Sequence, residues 1–466
     1  MSLKKLTLQS SVWLGALAVV ASAAGCGGSD GLSPDALAPY RQQTLQWSPC
    51  DTTILAEPEA KYRERWAQLG DRLRCTTMRA PMDWAKPERS DVFISVMRVA
   101  AADPAQRLGA LVFNPGGPGA DGLVQTLRLI NAFDQSNPQS QQGALQLRLL
   151  ASYDMVGFSP RGSGASTRLQ CATNELQRFV AQSPNAQSDG NLANLTYNDR
   201  KIAEACLRGP LTPYINTDAI ARDMDLLREL LGEDKLNYVG YSYGTWLGGW
   251  YASLFPSKTG RMVLDSAQDM TASHEAALVS MAPARQRLHD DVLLPYAVRH
   301  QQYFQLGSSA ADINAMLHAL SPPVQDVLVR AVDEQVSRSD HADDYLATLG
   351  AARGLDAVLR TLPDPADQAA VNAALQQQVF ITGHSAYDQA VRTQAQALYQ
   401  NYRSLFVQPA PRSLQLDDYF APYWAVSCND TAASASAAAW NATVRSTALQ
   451  APLFFGGFLV GLTQTP

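Results

Sequence analysis

The feature that most narrows the fold of this chain is Gly240-Tyr241-Ser242-Tyr243-Gly244, a G-x-S-x-G set between two kinds of periodicity. Before it, Leu236-Asn237-Tyr238-Val239 reads as a short strand, and after it Thr245-Trp246-Leu247-Gly248 opens a helix. A serine at that junction occupies a tight, strained turn, and the flanking glycines let strand and helix pass without a Cβ clash. The turn raises the hydroxyl above a sheet and sets it at a helix N-terminus, where negative charge is favoured. Ser242 is therefore the candidate nucleophile. The bland alternative, an ordinary Gly/Ser turn, leaves the strand and the helix on either side unexplained.

The surrounding pattern supplies the sheet. From Asp91 to Ser266 short β-rich runs alternate with helical stretches, as in a parallel sheet flanked by helices. Strands are expected at 92–96, 110–113, 153–157, 236–239 and 261–265, with a helix over 219–231 whose Leu226, Leu227, Leu230 and Leu231 share one face. From about Thr271 to Pro411 the chain turns rich in Ala, Gln, Leu, Asp and Arg, with helical periodicity, and reads as a helical cap inserted after a core strand. Tyr423–Ser427 and Pro452–Phe455 read as a return to the core. The expected organisation is a segment 1–25, a tether 26–45, an α/β core 46–270, a helical cap 271–415 and a partial return 416–466.

A serine nucleophile also needs donors for the oxyanion that forms on its substrate. One is the amide that follows the nucleophile, Tyr243. The other is expected in Asn114-Pro115-Gly116-Gly117-Pro118-Gly119, the loop after the 110–113 strand, with Gly117 as the donor. Consecutive glycines let backbone approach a substrate, and the prolines stiffen the loop. A simple turn needs less glycine, and a phosphate loop would continue into Gly-Lys-Ser/Thr.

Asn114–Gly119, Asp154-Met155-Val156-Gly157 with Arg161-Gly162, Gly240–Tyr251 and Arg261–Asp265 together resemble the exported tripeptidyl aminopeptidases, relatives of the proline iminopeptidases among the α/β-hydrolase serine peptidases. The resemblance is dense from about Trp47 to Asp269, absent through the cap and weak from Tyr419 onward, where Tyr423–Asp430 resembles the start of that family's C-terminal segment. It implies an α/β-hydrolase fold and release of short peptides from a free N-terminus, the cap limiting access to small substrates. Asp430 is the candidate group for the substrate's amino terminus, with a surface or capping aspartate as the alternative. The family's acid falls at Val460, and its histidine lies on a later loop that this sequence does not contain. The last core elements are likewise expected to be missing, as in a chain shortened or altered relative to an ancestral enzyme. Loss of the base costs on the order of 10⁶ in turnover, so the polypeptide as written is expected to be nearly inert. His274, with Asp265 and Asp269 near it in sequence, offers a rewired triad; the alternative is a solvated residue at the entry to the cap. Gly383-His384-Ser385 lacks the closing glycine and reads as a turn or helix cap.

The N-terminus reads as a processing signal: Lys4 and Lys5, an apolar run from Val12 to Ala24, then Ala23-Ala24-Gly25-Cys26, which resembles a bacterial lipobox. On that resemblance Cys26 is lipidated, and the protein is an exported lipoprotein, periplasmic or cell-surface, tethered by the Gly/Ser/Asp/Pro-rich stretch that follows. An ordinary cleaved signal is the alternative. Export makes disulfides durable, and Cys50 with Cys75 and Cys171 with Cys206 are the sequence-local pairs, leaving Cys428 over. No spacing suggests a zinc site, and no cofactor is expected. The net charge of −6, without a basic block, argues against a nucleic-acid partner. Two further functions remain open: an esterase-type hydrolase using the same elbow, and a non-catalytic lipoprotein that binds peptides in the cleft.

Overall fold

The computed structural model describes residues 34–51, 60–181, 187–333, 342–407, 412–416, 419–432 and 436–454. Within them lies a six-stranded sheet of order β1-β2-β4-β3-β6-β7. Its strands are β1 (Leu73–Pro81), β2 (Asp91–Val99), β3 (Ala110–Asn114), β4 (Asp154–Phe158), β6 (Leu236–Tyr241) and β7 (Thr259–Asp265). β1–β2 and β2–β4 pair antiparallel, whereas β4–β3, β3–β6 and β6–β7 pair parallel. All five residues of β3 and of β4 are buried, as strands covered on both faces must be. A second antiparallel pair joins β5 (Cys171–Leu176) to β8 (Ser413–Leu416).

The expected strands are all present, and β1, β5 and β8 are additions to them. The chain order follows from the crossovers. The helix Gly122–Asp134, capped by the Asp121 carboxylate on the Leu123 amide at 2.9 Å, carries the chain away from β3. The helix Thr217–Leu230, capped by Asn216 on the Ala219 amide at 2.8 Å, leads into β6. The elbow helix, Tyr243–Leu254, follows β6, and β7 closes the sheet with Val263 57% exposed at its edge.

Three apolar clusters fill the interior: one, with Leu111, Leu123, Leu127 and Met155, packs the sheet against the helix Gly122–Asp134, and two others divide the rest. One packs the sheet against its helices and includes Val112, Val156, Ile220, Leu227, Tyr238 and Leu247. The other holds the cap helices together, among them Ala342–Leu359 and Ser385–Asn401. The cap recruits more chain than its expected span. Leu192 and Leu195, on the helix Asp189–Leu207, belong to its cluster, as do Trp440, Val444 and Ala448 on the helix Ala437–Gln450.

Of the two stretches expected to return to the core, the first packs against it on one face and the second does not. Tyr423–Ser427 lies within a helix, Phe420–Asn429, wedged between the last two of these clusters: Ala421, Ala425 and Val426 face the sheet and Tyr423 faces the cap. Pro452–Phe454 is a turn on the cap, where Phe454 stacks on Tyr345 and meets His289 edge-on, while position 455 falls outside the described residues. Cys50 is bonded to Cys75, pinning the N-terminal segment to β1, and Cys171 to Cys206, pinning β5 to the helix Asp189–Leu207. Cys428 lies in the Phe420–Asn429 helix, outside both disulfides. Among the described residues no helix is long and apolar enough to cross a membrane.

One polar group is buried at the centre of this arrangement. Arg161, in the loop after β4, is fully buried and grips the equally buried Asp223 through Nε at 2.7 Å and Nη2 at 2.6 Å. Its remaining N–H groups reach the carbonyls of Pro81, Met82 and Tyr214. Removing one partner of such a pair strands the other charge in the interior. Asp223→Ala is expected to lower the unfolding free energy by about 3–5 kcal/mol, read from the urea midpoint. Glu204→Ala, at the exposed Arg200–Glu204 pair, should change it by no more than about 0.5 kcal/mol.

Candidate active site

Ser242 sits at the junction of β6 and the elbow helix with φ 53° and ψ −123°, a left-handed conformation that a non-glycine residue adopts only where its surroundings impose it. Three contacts impose it. The Ser242 amide donates to the Asp265 carbonyl of β7 at 3.0 Å, and the Thr245 amide and hydroxyl both donate back to the Ser242 carbonyl, at 2.9 and 2.7 Å. The hydroxyl is thereby left at the tip of the turn, half-buried.

The glycine loop after β3 stands directly against this turn. Gly116 has φ +96°, and a Cβ there would lie 2.5 Å from the Tyr241 carbonyl and 3.0 Å from the Tyr243 amide nitrogen. No side chain fits, so the two backbones meet. Asn114 fixes the loop's exit, its Oδ1 accepting from the Gly116 amide at 2.9 Å. The Gly116 N–H is therefore engaged, whereas neither the Gly117 nor the Tyr243 amide donates to an acceptor among the described residues. These are the two amides that the sequence singled out as oxyanion donors. Tyr419, just before the Phe420–Asn429 helix, lies over the loop, with its ring 3.5 Å from where a Cβ on Gly117 would be.

Behind the elbow is a polar cluster that sequence reasoning resolved only in part. The side chain of Tyr243 points inward, fully buried, and its phenol shares a short hydrogen bond with the Thr217 hydroxyl. Thr217 opens the helix Thr217–Leu230, and its amide donates to the Asp430 carboxylate at 2.7 Å while its hydroxyl makes a short bond to the same group. Asp430 thus meets a helix N-terminus from inside the protein, an arrangement favourable to its charge. Burial still dominates and pushes its carboxyl up to about 6, against the lowering effect of the Thr217 bonds. Thr217 was the residue missed; Asn216-Thr217-Asp218 is an N-cap signature that places the helix start two residues earlier than the apolar stripe does.

His274 departs from both of its sequence readings. It is fully buried rather than solvated, with its ring edge-on to Trp246 at 5.3 Å and to Tyr243 at 6.1 Å. Neither ring nitrogen has a partner among the described residues, and burial pushes the imidazole down to about 4, so it is neutral at pH 7. Its backbone amide donates to the Thr431 hydroxyl at 3.0 Å. Asp269 is turned instead to Thr271, whose bonds lower its carboxyl, and Asp265 stands exposed at the end of β7. The structure does not bring His274 and either aspartate together as a triad. His384 occupies the N-cap position of the helix Ser385–Asn401 behind Gly383 at φ +78°, which is a turn and cap. Cys26 and Val460 lie outside the described residues. Among the described residues no group of three or more His, Cys, Asp or Glu could hold a metal ion.

Comparison with known proteins agrees with this geometry. Residues 109–301, from β3 through the elbow into the cap, match the family described as the alpha/beta hydrolase fold. Over 201 residues the chain is 38% identical to a tripeptidyl aminopeptidase of Streptomyces lividans, covering 42% of this chain and 35% of that one. Over 320 residues it is 27% identical to the serine protease Hip1 of Mycobacterium tuberculosis, covering 68% and 56%. It is also 31% identical over 258 residues to a carboxylesterase B of the same species, covering 54% and 46%. The matched part of the chain thus spans about a third of the length of the tripeptidyl aminopeptidase and about half that of the other two.

The raised carboxyl of Asp430 has a stability consequence with a definite sign. Between pH 3.8 and about 6 the folded state holds a proton that the unfolded state releases, so this group's contribution falls as pH rises through that window. Asp430→Asn keeps an acceptor for Thr217 without the charge. The stability difference between variant and wild type should grow from near zero at pH 4 to at most about 3 kcal/mol above pH 6, measured by urea unfolding at each pH. His274 titrates in the opposite sense, its contribution falling as pH drops from 6.5 towards 4, but it is common to both proteins and leaves the difference unaffected.

Proposed function

We propose, for a chain that belongs to the α/β-hydrolase family, a serine hydrolase that releases short peptides or single residues from free N-termini through an acyl-enzyme on Ser242. The observation that carries this reading is the strained Ser242 turn pressed against a glycine loop whose Gly117 amide, like that of Tyr243, is uncommitted. Attack of Oγ on a carbonyl carbon puts negative charge on its oxygen, and those two amides are the donors that would receive it. The described residues place no imidazole and no side-chain carboxylate in hydrogen-bond contact with Oγ, so the acceptor of the serine proton is assigned to none of them. Peptides are favoured as substrates by the relatives named as a tripeptidyl aminopeptidase and a serine protease. The exposed aromatic edge formed by Tyr419 and Phe420 beside the Gly117 loop offers an apolar substrate side chain a wall.

An esterase reading is kept because a carboxylesterase is also among the relatives. A panel of unblocked peptidyl anilides and short acyl esters, run with the wild-type chain and with Ser242→Ala, separates the readings. Cleavage of the anilides that disappears in Ser242→Ala would support the peptidase reading and overturn the expectation of near-inertness. Turnover of esters alone would replace the peptidase reading with the esterase one. Peptide affinity that survives Ser242→Ala, without turnover of either substrate, would make the protein a binder.

The two disulfides fit an oxidising compartment, and the lipobox-like Ala23–Cys26 supports attachment of a lipid at Cys26. Metabolic labelling with an alkyne fatty acid should mark the wild-type protein and leave Cys26→Ser unmarked. Equal labelling of the two would remove the anchor.

A further inference from the structure

The cap contains a cavity of about 310 Å³, remote in sequence from the elbow, at a place where its helical backbone is irregular. The helix Met281–Leu288 runs into a π-helical turn, His289–Leu293, before the chain resumes α-helix at Leu294. Such wide turns are rare and recur at binding sites, because they turn consecutive polar side chains to one side. Here they bring His289 and Asp290 to the cavity wall, opposite Asn314 on the helix Ala310–His318.

The polar atoms at this wall are held in place but poorly matched to one another. Tyr345 fixes the His289 ring through a 2.7 Å bond between its hydroxyl and Nδ1. With the tyrosine donating, the imidazole proton lies on Nε2, which faces Asn314 Oδ1 at 3.5 Å and Asp290 Oδ1 at 4.0 Å, both long for a hydrogen bond. Gln286 donates to the same Asp290 oxygen at 3.1 Å. Burial lowers the basicity of His289, and Asp290 is the one carboxylate lining the cavity, which no lysine or arginine lines. The rest of the wall sets the aliphatic Leu317, Leu328, Val329 and Leu453 beside the polar His318, Gln325 and Gln450. Leu449 stands at its edge 82% exposed.

We propose that this cap cavity is a binding site for a small aliphatic ammonium, its charged head between Asp290 and the Asn314 carbonyl and its hydrocarbon body against Leu317, Leu328 and Leu449. A compact cation with donors in several directions suits two convergent acceptors, and branched hydrocarbon suits the apolar wall. The site is separate from Ser242 and does not depend on the peptidase reading.

Isothermal titration of the full chain carrying Ser242→Ala, which cannot acylate on a probe with a free amino terminus, with leucinamide at pH 7 tests the assignment, with 4-methylpentanamide, which lacks the amino group, as the neutral comparison. Leucinamide should bind, and adding Asp290→Asn should weaken it about fivefold or more. Leu328→Ala should weaken leucinamide and the neutral amide alike. Asp290 is half exposed, so its replacement by Asn is expected to leave the thermal midpoint in place, which a parallel melt checks. No heat of binding, or equal affinity once Asp290→Asn is added, would each overturn the proposal.

Discussion

The arrangement around the Ser242 turn depends on a buried guanidinium. Arg161 uses all of its N–H groups, two on Asp223 and the others on the carbonyls of Pro81, Met82 and Tyr214. It therefore ties the end of β1, the loop after β4 and the helix Thr217–Leu230 to a single rigid plane. That helix in turn presents Thr217 to Tyr243 and Asp430, and the Tyr243 backbone is half of the turn that carries Ser242. A charge with five donors has little freedom once buried: every one must be matched or the interior holds an unsatisfied cation. The pair stabilises one register of these segments and penalises the others.

The parts of the fold that sequence made legible were those governed by local period. The strands β2, β3, β4, β6 and β7 and the elbow announce themselves through short β-rich runs, and the glycines mark where backbones must meet; β5 and β8 were not anticipated. β1 alternates less plainly, with Arg74, Thr76, Thr77 and Arg79 along it, and it was not anticipated. The Phe420–Asn429 helix hides its period because it is covered on two sides, by Ala421 and Val426 towards the sheet and Tyr423 towards the cap. Pro452–Phe454 shows the ambiguity of a short apolar run, which suits a strand and a packed turn equally.

At the site, what failed was whatever required distance in sequence. Ser273 and Glu275 make His274 look solvated, yet the cap folds it onto Trp246 and Tyr243. Asp430 was noticed for its motif, but its partner lies more than two hundred residues earlier. Arg161 was visible only as part of a resemblance, because its role is fixed by Asp223 across 62 positions. Each is a long-range contact whose residues look unremarkable where they stand in the chain.

The wedged Phe420–Asn429 helix also limits how the protein can move. A lid that swings as a rigid body needs a hinge free of side chains shared by both halves. This helix anchors in both halves at once, and the Thr431 hydroxyl just beyond it receives the His274 amide at the first cap helix. A wholesale swing would have to strip one of its faces from its packing. Entry to the serine is thus a matter of local breathing, in side chains such as Tyr419 and Phe420 above the glycine loop, on the fast timescale of exposed rotamers rather than the slower one of domain hinges.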